Sequence, residues 1–120
     1  MVYKVNESEY RFLTILWENE PLPSSALVSL CAERLGWKKS TTYTVIKRLT
    51  EKQIVENHSA MVRTLVSKQQ IDRQESEAFL KKNFSGSVPA FLASFLQGRK
   101  LSREELIAIR SMLEEISDDD

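Results

Sequence analysis

The sequence predicts a mainly helical protein with a small β-hairpin. Three stretches with helical periodicity precede residue 54, a hairpin pattern follows them, and only helical periodicity continues after residue 70. Three helices followed by a hairpin are typical of a winged helix-turn-helix, in which the hairpin forms the wing. We therefore expect a winged helix-turn-helix domain over residues 1–70 and a helical dimerisation domain over residues 71–120.

The composition allows one domain, or a small domain with an appended module. The 120 residues include 17 basic and 17 acidic side chains, and a net charge of zero argues against a protein that coats nucleic acid indiscriminately. The charge is uneven, because residues 1–71 hold ten basic and seven acidic residues and residues 72–120 hold seven and ten. This asymmetry indicates a first half that faces an anion.

The first helix is predicted to begin at a cap on Asn6 or Ser8 and to end near Glu20, before two prolines. Its apolar residues lie on more than one side, so we expect it to be covered from two directions, by its own domain and by a later segment or a partner chain.

The second helix is predicted from a cap at Ser24 or Ser25 to a stop at or before Gly36. Cys31, the only cysteine, lies in its apolar stripe and is predicted to be a small buried hydrophobe. A single cysteine excludes an intrachain disulfide. With no signal-peptide pattern and no apolar run of about 20 residues, we expect a cytoplasmic protein without membrane insertion.

The third helix is predicted within residues 36–52, which carry five basic residues and one acid. Trp37 is expected to pack as an apolar anchor before the helix. At about 100° per residue, four side chains share a narrow buried face: Thr42, Val45, Ile46 and Leu49. The opposite face holds hydroxyls, amines and one phenol, a composition suited to a DNA major groove.

Nine side chains are candidates for DNA contact. Lys38, Lys39, Lys47 and Arg48 are predicted to contact phosphates or guanine, and Ser40, Thr41, Tyr43 and Thr44 to reach the groove floor. The wing is predicted from strands at residues 54–57 and 61–66 joined by His58, Ser59 and Ala60, and its Arg63 is a candidate backbone or minor-groove contact.

Three helices follow the wing. They are predicted over residues 71–84, from a cap at Ser87 to a C-cap at Gly98, and from a capping box formed by Ser102 and Glu105, before an acidic tail at residues 118–120. The last two expose more apolar surface than this segment buries alone, so we expect a dimer; the alternative is that they fold back onto the first helix. The predicted interface comprises Phe91, Leu92, Phe95, Leu96, Leu106, Ile109, Leu113 and Ile116.

The chain resembles the family of penicillinase and methicillin-resistance repressors, which also includes copper-responsive repressors. The resemblance covers nearly the whole chain and is most specific at residues 37–49, Trp-Lys-Lys-Ser-Thr-Thr-Tyr-Thr-Val-Ile-Lys-Arg-Leu, and at the following residues 51–55. Weaker matches lie at residues 9–17, 79–87 and 101–106.

The resemblance implies a homodimeric repressor that binds palindromic operators in double-stranded DNA ahead of resistance genes. It also implies a membrane-bound sensor protease that triggers cleavage between an Asn and a Phe in the fifth helix. That bond aligns with the one between Ser94 and Phe95, so the asparagine is absent. The cysteine cluster of the copper branch is also absent after Cys31, and Gln53 replaces the usual glycine after the third helix, a departure expected to reshape the approach to the wing.

Two other classes of function are compatible with a chain of this length. An enzyme is disfavoured, because the sequence has no glycine-rich phosphate loop and no nucleophile–histidine–acid set. Cys31 and His58 do not make a zinc site unaided, and no metal or cofactor is expected. The alternative to a DNA-binding repressor is a helical protein-interaction module, in which the basic third helix is incidental.

Overall fold

A computed structural model of the chain describes residues 2–117, and the predicted acidic tail at residues 118–120 lies outside this range. The elements, in chain order, are α1 (Glu7–Asn19), β1 (Leu22–Pro23), α2 (Ser24–Leu35), α3 (Lys39–Glu51), β2 (Val55–His58), β3 (Met61–Thr64), α4 (Lys68–Phe84), α5 (Val88–Leu96) and α6 (Arg103–Ser117). The predicted fold class, mainly helical with a small hairpin after the third helix, is confirmed.

The chain divides into two compact units, the first ending at Ala78 and the second beginning at Phe79. The division falls inside α4, so the N-terminal part of this helix belongs to the first unit. The first unit contains α1 to α3 and the sheet, and the second contains the remainder of α4 with α5 and α6.

The core of the first unit lies between α1, α2, α3 and the hairpin. Its largest buried apolar side chains come from every one of these elements: Phe12, Leu13, Leu16, Leu27, Leu49, Ile54, Val55 and Val62. Cys31 is fully buried here, as predicted. Trp37 also packs as predicted, with its ring stacked on Phe12 at a centroid distance of 6.2 Å.

The sheet has three strands rather than the predicted two. β1 pairs antiparallel with β3, which also pairs with β2, in the order β1-β3-β2. β1 was not predicted because it has only two residues, one of them Pro23, and shows no alternation of polar and apolar positions.

The hairpin is tighter than predicted, because His58 belongs to β2 and only Ser59 and Ala60 form the turn. Both turn residues have positive φ, 52° and 62°, as in a type I′ turn, whose twist matches that of the flanking strands. β3 ends at Thr64 instead of residue 66, where the chain turns toward α4.

Two predicted helix starts are corrected. The N-cap of α2 is Pro23 and makes no side-chain cap bond, whereas Ser24 is a buried helical residue whose backbone N–H donates to the Ala60 carbonyl at 2.8 Å. α4 begins at Lys68 rather than residue 71. The Ser67 hydroxyl accepts from the Gln70 N–H at 3.1 Å and the Gln70 side chain accepts from the Ser67 N–H at 2.8 Å, a capping box that the sequence analysis overlooked.

The predicted second covering of α1 comes from later in the same chain. Tyr10 donates its hydroxyl to Asp72 at 2.6 Å, and the Trp17 indole N–H donates to the Val66 carbonyl at 3.0 Å. Ile71, at the start of α4, is fully buried. The hydrogen bonds that Lys68 and Tyr10 donate hold the pKa of Asp72 below its usual range.

The second unit contains a cluster of four aromatic rings, Phe79, Phe84, Phe91 and Phe95, with centroid distances of 5.5 to 6.2 Å between neighbours. Its helix caps match the predictions: Ser87 accepts from the Ala90 N–H at 3.1 Å, and the Ser102 hydroxyl accepts from the Glu105 N–H at 3.0 Å. Gly98 is left-handed, with φ of 73°, one residue beyond the C-cap of α5. Within residues 79–116, no side chain is buried.

Gln53, between α3 and β2, has a φ of 62° and therefore occupies the left-handed region that favours glycine. Its N–H donates to the Thr50 carbonyl at 3.0 Å, and the next N–H, of Ile54, donates to the Leu49 carbonyl at 3.0 Å. These bonds and the buried Ile54 side chain hold the backbone in this conformation. Gln53 thus carries backbone strain at the start of the wing.

Gln53→Gly is expected to raise the free energy of unfolding by about 0.5 to 1 kcal/mol, because relief of the strain exceeds the extra entropy that glycine gives the unfolded chain. Chemical denaturation monitored by circular dichroism measures the change. The matched control is Gln69→Gly in the first turn of α4, which is expected to lower stability. A lower stability for Gln53→Gly would contradict the assignment of strain.

Candidate nucleic-acid interface

α3 presents two chemically different faces. Its buried residues are the four predicted ones, Thr42, Val45, Ile46 and Leu49, and they pack into the core of the first unit. The opposite face is exposed and holds the predicted groove-facing hydroxyls and amines: Lys38, Lys39, Ser40, Thr41, Tyr43, Thr44 and Lys47. The helix therefore offers polar groups to a ligand while its apolar side fixes its position.

Two contacts order this exposed face. The Lys39 ammonium lies over the Tyr43 ring, 5.9 Å from its centroid, and the Thr44 hydroxyl donates to the Ser40 carbonyl at 2.9 Å. Since that hydroxyl proton is engaged, Thr44 offers a ligand its oxygen lone pairs and its methyl group. A methyl group of this kind packs against the methyl group of thymine.

Arg48 stands at the border of the exposed face and is attached to α1. Its Nε donates to Glu9 Oε2 at 2.7 Å, and 40% of its side chain remains exposed. Lys52 Nζ lies 2.9 Å from Glu9 Oε1 and also donates to the Lys4 carbonyl at 2.9 Å. Glu9, which is completely buried, thus joins the start of α1 to the last turn of α3.

The balance of effects on Glu9 favours its ionised form. Burial raises the pKa of this carboxyl group, but the backbone N–H of Asn6 and the side chains of Arg48 and Lys52 together outweigh burial and hold the pKa below its usual range. This role of Glu9 was not predicted, because the spacing of Asn6 and Glu9 indicates only a helix start and carries no information about partners about 40 residues away.

A cleft of about 340 Å³ opens between the start of α1 and α3. It is lined by hydroxyl groups, one guanidinium and two apolar side chains: Ser8, Ser40, Thr41, Thr44, Arg48, Trp37 and Val45. We refer to it as the α1–α3 cleft. It places Ser8, which the sequence analysis considered only as a cap, beside four of the predicted DNA contacts.

Arg63 lies on the exposed side of the wing and forms an ion pair with Glu56, its neighbour across the hairpin. Because Glu56 neutralises part of its charge, Arg63 is a weaker anion ligand than the exposed lysines of α3. Its assignment as a DNA contact remains a prediction.

The predicted cleavage site lies in the last turn of α5, where Ser94 is exposed and 47% of Phe95 is exposed. The Phe95 ring stacks on Phe91 at 5.6 Å, and the Arg99 guanidinium lies 4.3 Å from its centroid. The bond between Ser94 and Phe95 is thus helical, and cleavage there remains a prediction.

Within residues 2–117, no group of three or more His, Cys, Asp or Glu side chains is arranged to hold a metal ion. No helix of the described chain is long and apolar enough to cross a membrane. Burial raises the pKa of the Cys31 thiol, so the thiol stays protonated and unreactive at neutral pH.

The sequence profile of the penicillinase repressor family matches residues 5–115. The methicillin resistance regulatory protein MecI of Staphylococcus aureus is 23% identical over 115 residues, which cover 92% of this chain and 94% of that protein. The penicillinase repressor of Bacillus licheniformis is 23% identical over 117 residues, covering 93% and 91%. A solved structure of a ZitR mutant from Lactococcus lactis aligns with a TM-score of 0.41 at 16% identity, covering 97% of this chain and 75% of that one.

Glu9→Gln is expected to lower the free energy of unfolding at pH 7 by about 2 kcal/mol, because hydrogen bonds to a buried ionised group are lost while both cations keep access to water. The pKa of Glu9 is lower in the folded than in the unfolded chain, so its contribution is present above the unfolded value of about 4.3 and disappears as the pH falls through the folded value. Denaturation from pH 7 down to pH 3 should show the two proteins converging. A constant difference across that range would contradict this assignment.

Proposed function

The chain belongs to the penicillinase repressor family, a family of transcriptional repressors and not of enzymes, and from this premise we propose that it is a sequence-specific DNA-binding repressor that acts as a homodimer on palindromic operators. The observation that carries the proposal is the exposed face of α3, on which cations, hydroxyls and a phenol stand above a fully packed apolar face. That face offers groups for both kinds of contact that DNA recognition needs, contacts with phosphates and contacts with base edges.

In the proposed complex, α3 lies in the major groove. Lys38, Lys39 and Lys47 contact phosphates or guanine, because an ammonium donates to either kind of acceptor. Ser40, Thr41, Tyr43 and Thr44 face the base edges from the N-terminal half of the helix, which is the part of a recognition helix that reaches the bases. These side chains are exposed in the free chain and need no rearrangement of the core.

The proposed dimer forms through the second unit. The eight residues predicted at the interface are all exposed or half-buried within one chain: Phe91, Leu92, Phe95, Leu96, Leu106, Ile109, Leu113 and Ile116. The last two are 50% and 74% exposed, respectively. A second copy that covers this apolar surface gives two α3 helices related by a two-fold axis, which matches a palindrome.

The names of the relatives support a target of the β-lactam-resistance type or a related gene, because two of them are a methicillin resistance regulator and a penicillinase repressor. Release by a membrane-bound sensor protease at Ser94 and Phe95 belongs to the same proposal. Ser94 replaces the asparagine of the family pattern, so the protease would have to accept serine at this position.

Lys47→Glu is expected to abolish retardation of a DNA duplex recovered by selection from a random-sequence library with the wild-type protein, because it replaces a central cation of the exposed face with an anion. The change leaves the core untouched, so the protein should fold and retain its oligomeric state in sedimentation. Lys81→Glu, at an exposed position of α4, is the matched control and should bind the duplex normally.

Unchanged retardation by Lys47→Glu would contradict the assignment of α3 as the recognition helix. If the wild-type chain selects no sequence and its binding is insensitive to salt, the function as a whole is wrong, and the exposed apolar surface would instead indicate a helical protein-interaction module.

Leu113→Glu is expected to produce monomers whose DNA affinity is lower by at least about tenfold, because a charge placed in an apolar interface opposes association and a monomer binds only one half-site. Sedimentation velocity and gel retardation test the two effects. Ser111→Glu places the same charge on the opposite side of α6 and should remain dimeric. A dimeric Leu113→Glu protein would show that the interface lies elsewhere.

A further inference from the structure

The α1–α3 cleft combines hydroxyl groups with a guanidinium whose position is fixed. Of its hydroxyls, Ser8 donates to Asn6 Oδ1 at 2.9 Å and Thr44 donates to the Ser40 carbonyl at 2.9 Å. The hydroxyls of Ser40 and Thr41 are exposed and line the same cleft, where they are placed to donate to a ligand. The cleft is open to solvent, so a ligand enters it without movement of the core.

Arg48 lines this cleft, and its guanidinium is restrained by Glu9 of α1. Its Nε donates to the buried carboxylate of Glu9, and one guanidinium carries four more N–H donors on its two terminal nitrogens. Because the Nε bond to α1 restrains the planar group, the direction of those donors is set before any ligand arrives. An unrestrained arginine would lose side-chain entropy on binding instead.

The local charge favours an anion in spite of Glu9. Arg48 and Lys52 together carry two positive charges against the one negative charge of Glu9, and all three are joined by contacts of 2.7 to 3.0 Å. The carboxylate is fully buried, whereas both cations are partly exposed. A ligand in the cleft therefore meets the cationic side of the cluster.

From this geometry we propose that the α1–α3 cleft holds one backbone phosphate of the DNA strand beside the major groove, and that Glu9 is a positioning residue that aims Arg48 at it. The inference rests on the proposed DNA-binding function and names a subsite of it. A phosphate is a better ligand than a base for this cleft, because Arg48 is restrained at Nε against α1, away from the side of α3 that carries Tyr43 and Lys47. A guanidinium with neighbouring hydroxyl donors suits the oxygens of a phosphate group.

The first experiment measures the dissociation constant of the full-length protein from the selected duplex and from a duplex of scrambled sequence, between about 50 and about 200 mM salt. Arg48→Gln should weaken both complexes about tenfold and reduce the slope of log affinity against log salt by about 0.9, leaving the ratio between the two duplexes unchanged. The matched control is Arg34→Gln on α2, whose arginine is likewise ion-paired and partly exposed, and its slope should equal that of the wild type.

The second experiment tests whether Glu9 acts through Arg48. Glu9→Gln should weaken DNA binding, although it removes a negative charge near the DNA, and this loss should vanish in the Arg48→Gln background. Measurements are made below the unfolding midpoint of every variant, as determined by circular dichroism. A structural role for Glu9 alone would give losses that add in the double variant.

The outcomes separate the subsite from the function. If the wild-type protein binds neither duplex in a salt-dependent way, both proposals fail. If the wild type binds selectively but Arg48→Gln keeps the full salt slope, or loses affinity for the selected duplex alone, the phosphate subsite is wrong and the repressor function stands. If the Glu9 and Arg48 effects add, Glu9 is not a positioning residue.

Discussion

The first unit depends on one buried charge, the carboxylate of Glu9. Placing an ionised group in the core is unfavourable unless hydrogen bonds and opposite charges replace its lost water. Here the Asn6 N–H, Arg48 and Lys52 do so, and they come from the N-cap of α1 and the last turns of α3. Because these donors must converge on one carboxylate, the ion cluster fixes where α3 crosses α1, and therefore where the exposed face of α3 points.

In this unit, the side chains that hold the fold together are mostly different from those proposed to contact DNA. The apolar side of α3 packs into the core, while the wing is joined to the body by β1 on one edge and by the left-handed Gln53 at its start. Apart from Arg48, which also stabilises the buried Glu9, the side chains proposed to contact DNA lie on the surface of this packed body and contribute little to its core. Substitutions on the exposed face are therefore expected to change recognition with small effects on stability, as is usual for surface positions.

The second unit has the opposite organisation. Its helices are capped and carry a cluster of four aromatic rings, yet none of its side chains within residues 79–116 is buried in one chain. Apolar surface of this kind is stable in water when another surface covers it. The proposed dimer would supply that cover and present the two α3 helices as a pair, so the same contacts would serve stability and specificity.

The sequence by itself determined the features that local patterns encode. Helical periodicity separated the buried Val45 and Leu49 from the exposed Lys47, and capping residues located several helix ends because their hydrogen bonds span only three residues. Tertiary structure alone decided the pairing of β1 with β3, the contact of Tyr10 with Asp72, and the convergence of Arg48 and Lys52 on Glu9. These partners lie about 40 or more residues apart in the chain. No local pattern encodes such pairs, because they form only when packing of the core brings the elements together.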